Sequence, residues 1–298
     1  MIKIIDLKFQ GLSSSIAAHL VETVEGPVLI ETGPHSSLSH LLSGLAENGY
    51  QMEDIKHVFI THIHLDHAGA AWAFAEKGAT IYMHPRGKKH MVDPSRLLAS
   101  AKMIYQEKMD QLWGELRPIP ESQIRTLGHQ EKISVGDTQI TAWHTPGHAV
   151  HHLSYQIGDI LVAGDVAGAK IREDGMVVPP CPPPDIHIED WIASIEMLET
   201  LNLKEIYLSH FGKVQQVKKH FEELKFILWD WANWIRPYYE SGTSPKLIGP
   251  KFSAYVRQQL IEHGVKEEDL PIYESANPSW MSVGGLMRYW KKKLGADQ

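Results

Sequence analysis

The stretch KHVFITHIHLDH, residues 56–67, joins a short apolar strand to a segment rich in metal-binding side chains. Residues 56–61 have the composition of a buried strand. Four possible ligands follow within six residues: His62, His64, Asp66 and His67. Neutral imidazole and carboxylate together suit zinc, iron or manganese. Because packing alone gives no reason to crowd three imidazoles and a carboxylate, the segment predicts a metal site.

Six residues cannot enclose two ions, so further ligands are expected elsewhere in the chain. His148 lies in a Thr-Pro-Gly-His turn after one predicted strand, Asp165 follows the strand at 160–162, and His210 follows the strand at 205–209. Loops at strand ends commonly present functional groups. Each of these residues alone could be an ordinary turn residue, and they become ligand candidates only together.

The rest of the first 212 residues alternates strands and helices. The predicted strands are 2–9, 16–24, 28–31, 56–61, 79–83, 132–135, 138–143, 153–157, 160–162 and 205–209. They fall into two sets, 1–83 and 123–209, with predicted helices at 37–48, 68–76 and 189–201. This pattern predicts an α+β fold in which two sheets pack face to face with helices outside.

Two segments depart from that alternation. Residues 85–122 form an insert that contains one long predicted helix, 95–113, and the pattern from residue 214 onward is wholly helical. We therefore divide the chain into a catalytic domain, 1–212, with a helical insert at about 85–122, and a C-terminal helical region, 213–298, that could act as a lid over the substrate.

Composition narrows the classes of function. The chain has 298 residues, 18 His, one Cys, 43% hydrophobic residues and a net charge of −7. One cysteine excludes a disulfide framework and a site of several thiolates, and the negative charge argues against nucleic acid as a partner. No targeting or membrane-spanning segment is visible. We expect a cytoplasmic protein that acts on a small molecule, with the aromatic-rich C-terminal region as a candidate homodimer surface.

The ordered set HxHxDH, His148, Asp165 and His210 resembles the metallo-β-lactamase-fold hydrolase superfamily over about residues 1–212. The resemblance implies an αββα sandwich. It also implies that one metal is held by His62, His64 and His148, and a second by Asp66, His67 and His210, with Asp165 bridging both.

Two departures from the family pattern concern the surroundings of the ligands. Many members carry Asp-Thr-Gly where this chain has Glu31-Thr32-Gly33, so Glu31 is expected to support the ligands with a longer reach, or the contacts around them are rearranged. The last ligand lies in a Ser-His-Phe-Gly context rather than a Gly-His-Gly one, which makes Phe211 either a pocket residue or a packing aromatic.

The expected reaction follows from two divalent cations, zinc in the first place, with iron or manganese as alternatives. A hydroxide shared by two metals would attack a carbonyl, and Asp66 would both ligate and orient this nucleophile. His35, His151 and His152 are candidates for a leaving-group acid. A thiolate would need no such acid, which favours thioesters over other acyl substrates.

Thioesters, esters and lactones are the first substrate hypothesis, in a glyoxalase-II-like or lactonase-like branch. An apolar lid for an acyl group could come from Met103, Met109, Trp113, Trp231, Trp234, Tyr238, Tyr239 and Trp280. The same residues could instead pack helix against helix. The chain lacks the Gly-His-Glu-Tyr-Thr stretch typical of glyoxalase-II-like enzymes, which speaks against glutathione specificity.

Two other activities stay open. The metals could serve a phosphodiesterase, although the lysines at 218–219 and 291–293 do not form a basic stripe. A mononuclear-iron persulfide dioxygenase is the non-hydrolytic alternative. Cys181, in a Pro-rich loop, is expected to be a buried thiol rather than a ligand or nucleophile.

Overall fold

The computed structural model describes residues 2–295; Met1 and residues 296–298, which end the two predicted domains, lie outside the described residues. The first sheet has six strands in the order of the chain. They are β1 Ile2–Asp6, β2 Ala17–Thr23, β3 Gly26–Ile30, β4 His57–Phe59, β5 Thr80–Met83 and β6 Ile124–Thr126. The strands β1 to β3 pair antiparallel, and β3 to β6 pair parallel. The carboxyl ends of β3 and β4 therefore lie at the same edge.

The second sheet also has six strands, in the order β12-β11-β10-β9-β8-β7. They are β7 Glu131–Val135, β8 Thr138–His144, β9 Leu153–Ile157, β10 Ile160–Val162, β11 Glu205–Leu208 and β12 Phe211–Val214. Of these pairs, β10 and β11 alone are parallel. The apolar faces of the two sheets meet in one core, where Phe59 contacts Tyr155 edge to face with ring centroids 5.2 Å apart.

Helices cover the outer face of each sheet, which confirms the predicted α+β sandwich. The helices are α1 Leu38–Glu47, α2 Leu65–Ala68, α3 Ala71–Glu76, α4 Pro85–Val92, α5 Ser95–Tyr105, α6 Met109–Trp113, α7 Ile188–Glu199, α8 Val217–Glu240, α9 Pro245–Glu262, α10 Leu270–Ala276 and α11 Ser279–Gly295. Buried residues of α1 to α6 form one apolar cluster on the first sheet, and α7 to α11 form another on the second.

The C-terminal helices pack mainly against each other and on the second sheet. Trp231 on α8 is fully buried, and its indole N–H donates to Gln259 Oε1 on α9 at 2.9 Å. Trp290 on α11 donates to the Ala232 carbonyl at 2.7 Å. Each such aromatic side chain removes a large apolar area from water, which contributes about 1.5–3 kcal/mol. Because this cluster is continuous with the sheet, a boundary at residue 212 stays a prediction.

The insert differs from its predicted form. A single helix over 95–113 is wrong, because the chain leaves the helical conformation at Gln106, where φ is 50°. A non-glycine residue at positive φ cannot continue a right-handed helix. The sequence analysis did not predict helix α4. Two features mark its start: Pro85 occupies its first position, and the His84 ring accepts a hydrogen bond from the Arg86 N–H.

Two strand assignments also need correction. Strand β6 extends the first sheet, in parallel register with β5, rather than the second sheet to which residues from 123 onward were assigned. Val214, expected to open the helical region, is the last residue of β12 and pairs with Ile206. Among residues 2–295, no helix is both long and apolar enough to cross a membrane, and the cytoplasmic location stays a prediction.

Candidate metal centre

The histidine-rich segment lies at the carboxyl end of β4, where the chain turns into α2. The Ile60 N–H still donates to the Tyr82 carbonyl at 2.9 Å, so the sheet holds the chain up to this residue. The N–H groups of His67 and Ala68 then donate to the His64 carbonyl at 3.0 and 2.9 Å and close the first turn of α2. The segment is thus held at both ends, by a strand and by a helix.

Three histidine nitrogens face one another in a first group. His62 Nε2 lies 2.9 Å from His64 Nδ1, and His148 Nε2 lies 3.2 Å from His62 Nε2 and 3.1 Å from His64 Nδ1. The hydrogen bonds of the other ring nitrogens assign the protons. His148 Nδ1 lies 2.8 Å from the Pro180 carbonyl and must donate to it. The Thr61 hydroxyl donates to Glu31, so it accepts from His62 Nδ1 at 3.0 Å.

It follows that His62 Nε2 and His148 Nε2 carry no proton in the neutral rings, and that two lone pairs face each other at 3.2 Å. These lone pairs repel each other unless the proton of His64 Nδ1 or a cation lies between the nitrogens. The pKa of His62 lies well below its usual value, mainly because the ring is buried and also because His67 and His64 are close to it. Burial lowers the pKa of His148 to about 4. Both rings therefore stay neutral, which is the form that binds metals.

A second group combines two histidines with two carboxylates. His67 Nε2 lies 3.6 Å from Asp66 Oδ2 and 3.3 Å from Asp165 Oδ1. His210 Nε2 lies 3.5 Å from each of the same two oxygens. The other nitrogen of His210, Nδ1, donates to the Ser15 carbonyl at 2.8 Å, which turns Nε2 toward the carboxylates.

The two oxygens of Asp165 face different groups. Oδ1 lies against His67 and His210, whereas Oδ2 lies 3.4 Å from His148 Nε2 in the first group. Gly164 makes this position accessible, because its φ is 66° and a Cβ there would lie 2.6 Å from His152 Nε2. A carboxylate in this place can bridge two ions.

The spacing of these atoms fits metal ligation. A tetrahedral zinc with bonds of about 2.0–2.1 Å separates its ligand atoms by about 3.3–3.4 Å. The second group has separations of 3.3–3.6 Å, and the first group is slightly tighter, at 2.9–3.2 Å. His67 Nε2, His210 Nε2 and Asp165 Oδ1 are buried without a hydrogen-bond partner. Buried polar atoms are costly unless they are paired, so these atoms indicate a site for a cation.

Charge around the second group favours a cation as well. Burial opposes charge on His67, but Asp165, Asp66 and Glu31 outweigh it and raise the pKa of His67 well above its usual value. Burial likewise opposes ionisation of Asp66, but His67 and His210 lower the pKa of Asp66 to about 2. The carboxylates that attract a proton to His67 would also attract a metal ion.

Glu31 supports the second group from behind. It is fully buried, and its Oε1 lies 3.3 Å from His67 Nδ1 and accepts from Thr61. Its φ of 69° is in the left-handed region, which costs a residue with a side chain roughly 1–3 kcal/mol. Carboxylates that hold a ligand histidine in place are a common feature of metal sites. The longer side chain therefore reaches His67, one of the predicted ligands, which agrees with the first of the two expectations for Glu31.

All seven predicted ligand residues come together, and three sets among them place their ligand atoms within 4.8 Å of one another. The sets are His62, His64 and His148; His62, His67 and Asp165; and Asp66, His67 and His210. The first and third coincide with the two implied ligand sets. The geometry fits metal binding, while ligation itself stays a prediction.

A cavity of about 770 Å³ opens on this cluster, and His64, Asp66 and Asp165 form part of its wall. The remaining wall comes largely from the insert and the C-terminal helices. Its apolar part includes Phe9, Ile16, Leu97, Ile104, Trp113 and Met281. A volume of about 300–1,000 Å³ is typical of small-molecule sites.

The predicted lid residues have mostly other positions. Trp113 does line the cavity, but Met103 is 75% exposed and Trp280 is 51% exposed. Trp231 and Trp234 pack against Phe252 on α9. Of the eight predicted lid residues, Trp113 alone lines the cavity. Trp231 is buried by helix-to-helix packing within the C-terminal region, and Trp234, Tyr238 and Tyr239 pack partly buried on the same cluster, which was the stated alternative.

The candidate leaving-group acids also separate. His151 lines the cavity, whereas His152 is fully buried and bonded to Thr145, and His35 Nδ1 accepts from the Glu115 N–H. Burial raises the pKa of the Cys181 thiol, which keeps it protonated, as expected of a buried thiol.

Several cavity residues were missed by sequence reasoning, above all Tyr105, Met281 and the basic residues of α4 and α5. The Tyr105 hydroxyl donates to Met281 Sδ at 3.2 Å across a separation of 176 residues. No local pattern predicts such a contact. The basic residues carried a weak signal, since Arg86 and Lys89 are one helical turn apart.

Comparison with known proteins supports the family. A family model described as the metallo-beta-lactamase superfamily matches residues 14–210. A metallo-beta-lactamase fold-containing protein of Sulfurisphaera tokodaii is 24% identical over 179 residues, or 58% of this chain and 67% of that protein. An N-acyl homoserine lactonase of a Bacillus species is 24% identical over 229 residues, or 67% of this chain and 82% of that enzyme.

Among solved structures, a metallo-beta-lactamase family protein of Thermus thermophilus has a TM-score of 0.64 at 18% identity. The superposition covers 98% of this chain and 93% of that one, so the likeness of fold includes the C-terminal helices. The family model spans two thirds of the sequence and includes every residue of the histidine and aspartate cluster. This chain therefore belongs to the metallo-beta-lactamase superfamily.

Proposed function

We propose that this chain is a binuclear metal-dependent hydrolase that cleaves an ester, thioester or lactone with an apolar acyl part. Members of the superfamily are mostly metal-dependent hydrolases, and one relative is an N-acyl homoserine lactonase. The single observation that carries the proposal is that a largely apolar cavity of about 770 Å³ ends directly on the cluster of histidines and aspartates.

The cluster provides two ligand sets that share one carboxylate. In this proposal His62, His64 and His148 would hold one ion, and Asp66, His67 and His210 would hold the other. Asp165, which faces both groups, would serve both ions. When bound, two divalent cations, with zinc as the first choice, lower the pKa of water toward about 7 and polarise a carbonyl oxygen.

The protein's own groups position the reactants. Asp66 is the more open of the two aspartates, with 23% of its side chain exposed, and it lines the cavity. Its carboxylate can therefore accept a hydrogen bond from the attacking water and orient it. The apolar wall around Ile16, Ile104 and Trp113 excludes bulk water from the acyl part of the substrate.

A thioester fits this site better than an ester of a poor leaving group. Of the three candidate acids, only His151 lines the cavity, and burial together with His64 and His148 lowers the pKa of His151 well below its usual value. A thiolate has a conjugate acid with a pKa of about 8.5 and can depart without a protein proton donor.

A substrate comparison with purified protein tests the proposal. The probes are p-nitrophenyl octanoate, octanoyl-N-acetylcysteamine, N-octanoyl homoserine lactone and bis-p-nitrophenyl phosphate. We expect turnover of one or more acyl substrates that is lost after chelation and restored by zinc. The same assay of Asp165→Ala reports any contaminating hydrolase.

Two outcomes would replace the proposal with one of the alternatives. The fastest turnover with bis-p-nitrophenyl phosphate would indicate a phosphodiesterase. One iron per chain together with oxygen consumption in the presence of a persulfide would indicate a dioxygenase.

A further inference from the structure

A group of three cationic side chains lies at the rim of the cavity. Arg86 and Lys89 belong to α4, and Arg96 belongs to α5. All three line the cavity and are exposed to solvent. Because Arg86 and Lys89 are three residues apart on one helix, they project from the same side. We call these three residues the cationic rim.

The side chains of the cationic rim form no close ion pair. Arg96 does act on one carboxylate of the insert, because hydrogen bonds from Ser95 and then the charge of Arg96 lower the pKa of Asp93. Within residues 2–295, no carboxylate lies within 4.0 Å of a charged nitrogen of Arg86, Lys89 or Arg96. By contrast, Arg117 in the same insert pairs with both Glu76 and Glu115. Like charges repel one another unless an anion neutralises them. In a chain of net charge −7, an unpaired cationic group at the entrance of the cavity suggests an anionic ligand.

The acidic residues of the same cavity do not cancel these charges. Glu274 on α10 accepts a hydrogen bond from the Ser279 N–H at 3.1 Å and caps α11. Asp66 and Asp165 face the histidines of the cluster. Asp185, in the Pro-rich loop, is the remaining carboxylate on the wall. On the cavity wall, the three cations therefore face a single carboxylate, Asp185, that is not already directed at another group.

The charges of α4 and α5 act on a common region. Burial lowers the pKa of His90, and the charges of Lys89 and Arg96 lower it further, against the effect of Asp185. His90 also lines the cavity. Lys89 and Arg96, which belong to different helices, thus both act at one place on the wall.

The side of α5 that lines the cavity also carries apolar residues. Leu97, Ala101 and Ile104 recur at spacings of four and three residues and line the cavity next to Arg96. Tyr105, the last residue of α5, also lines the cavity. Helix α5 therefore presents both Arg96 and an apolar stripe to the cavity.

We propose that the cationic rim is a binding subsite for an anionic group, phosphate or carboxylate, on the non-acyl part of an acyl substrate. The inference rests on the proposed function and narrows its substrate class. The substrate would place its acyl chain against the apolar wall, its carbonyl at the metal cluster and its anionic group at Arg86, Lys89 and Arg96.

Three thioesters with the same acyl group test the subsite. Octanoyl-coenzyme A carries phosphates, S-octanoylglutathione carries carboxylates, and octanoyl-N-acetylcysteamine is neutral. We expect the full chain to hydrolyse one of the anionic thioesters with a kcat/KM at least about tenfold above that of the neutral one at low salt, since exposed ion pairs are individually weak but act together here. The preferred anionic thioester identifies the kind of anion.

The triple variant Arg86→Gln, Lys89→Gln, Arg96→Gln should lose this tenfold preference, measured as the ratio of kcat/KM for the anionic thioester to that for the neutral one. The matched control is Lys56→Gln, Lys204→Gln, Lys246→Gln, which changes the net charge equally at exposed positions outside the cavity wall. The control should keep the preference. Equal activity on all three thioesters, or the same loss in both triple variants, would overturn the subsite and leave the proposed hydrolase intact.

A binding measurement separates the subsite from the reaction. S-methyl-coenzyme A carries the phosphates but has no acyl bond to cleave. Its affinity, measured by calorimetry, should fall about tenfold or more in the rim variant and stay unchanged in the control. If the affinity falls in the rim variant but the protein hydrolyses none of the thioesters, the subsite is retained and the proposed function is rejected. Equal affinity of both variants for S-methyl-coenzyme A and, where the glutathione thioester is the preferred substrate, for S-methylglutathione would reject the subsite.

Discussion

The metal-ligand cluster and the walls of the cavity in front of it are built in different ways. The cluster takes its seven residues from the ends of a few strands, and four of them come from one six-residue segment. The walls combine side chains from the loop after β1, the insert and the C-terminal helices. The candidate ligands thus belong to short segments attached to a sheet, whereas the shape of the candidate substrate site depends on how distant helices pack.

Removal of the shared carboxylate should have the largest effect. Asp165 faces both groups of nitrogens at 3.3–3.5 Å. Asp165→Ala should therefore lower kcat by about a thousandfold or more and reduce bound metal from two ions per chain to one or none. Metal analysis together with initial rates checks this. Asp159→Ala, at an exposed turn in the same part of the chain, is the control. Full metal content in Asp165→Ala would contradict the bridging position.

A smaller effect on metal binding is expected for Glu31, which contacts a predicted ligand rather than being one. Glu31 contacts His67 but reaches neither the cavity wall nor His210, the other histidine of the second group. Glu31→Gln keeps the shape and removes the charge, so metal affinity should fall about 10–100-fold while the fold is retained. Competition with a chromogenic chelator measures it, with Glu25→Gln at an exposed turn as the control. Equal affinities in the two variants would show that Glu31 acts on the fold alone.

These two regions also differ in how far the sequence predicts them. The HxHxDH segment, His148, Asp165 and His210 could be found because each follows a recognisable strand, and strand ends converge at the edges of sheets. Glu31 was found through the family resemblance, because it stands where many members carry Asp, and the structure places it directly after β3. Such placements need only local patterns and the pairing of neighbouring strands.

The walls could not be found in this way. Tyr105 meets Met281 through the packing of the insert on α11, and the break at Gln106 that places Tyr105 there has no local signal. Tryptophan content was equally uninformative, since Trp113 lines the cavity whereas Trp231 is buried between α8 and α9. Residue type gave the apolar character of both positions, and tertiary contacts decided which one faces the substrate.

Replacing these two tryptophans tests the distinction. Trp113 stacks on Phe9, with centroids 5.4 Å apart, and forms part of the cavity wall. Trp113→Ala should lower kcat/KM for octanoyl substrates about tenfold and leave acetyl substrates within about twofold, because only the longer chain loses apolar contact.

Trp231→Ala should show the opposite behaviour. A fully buried tryptophan lost from the helix packing costs about 3–5 kcal/mol of stability, so Tm should fall while the ratio of octanoyl to acetyl activity is retained. Rates for a series of acyl lengths, with thermal unfolding of both variants, provide the measurement. An altered chain-length preference in Trp231→Ala would mean that the packing between the C-terminal helices also determines the shape of the cavity.

The smallest effect is expected for the Tyr105 hydroxyl, which lies on the cavity wall and donates to the weak acceptor Met281 Sδ at 3.2 Å. Burial, with a contribution from Asp66, raises the pKa of Tyr105 above its usual value of about 10. The phenol therefore stays neutral below that pH, and its ionisation cannot appear in a pH–rate profile between about pH 6 and 9.

Tyr105→Phe keeps the ring that contacts Trp113 and removes only the hydroxyl. We expect kcat/KM within about threefold and an unchanged profile, since a hydrogen bond to a thioether is worth less than the typical value of about 0.5–1.5 kcal/mol. A fall of more than about tenfold in kcat at unchanged KM would instead show that the hydroxyl turns from Met281 to the reacting oxygen, and that one residue of the wall belongs functionally to the metal cluster.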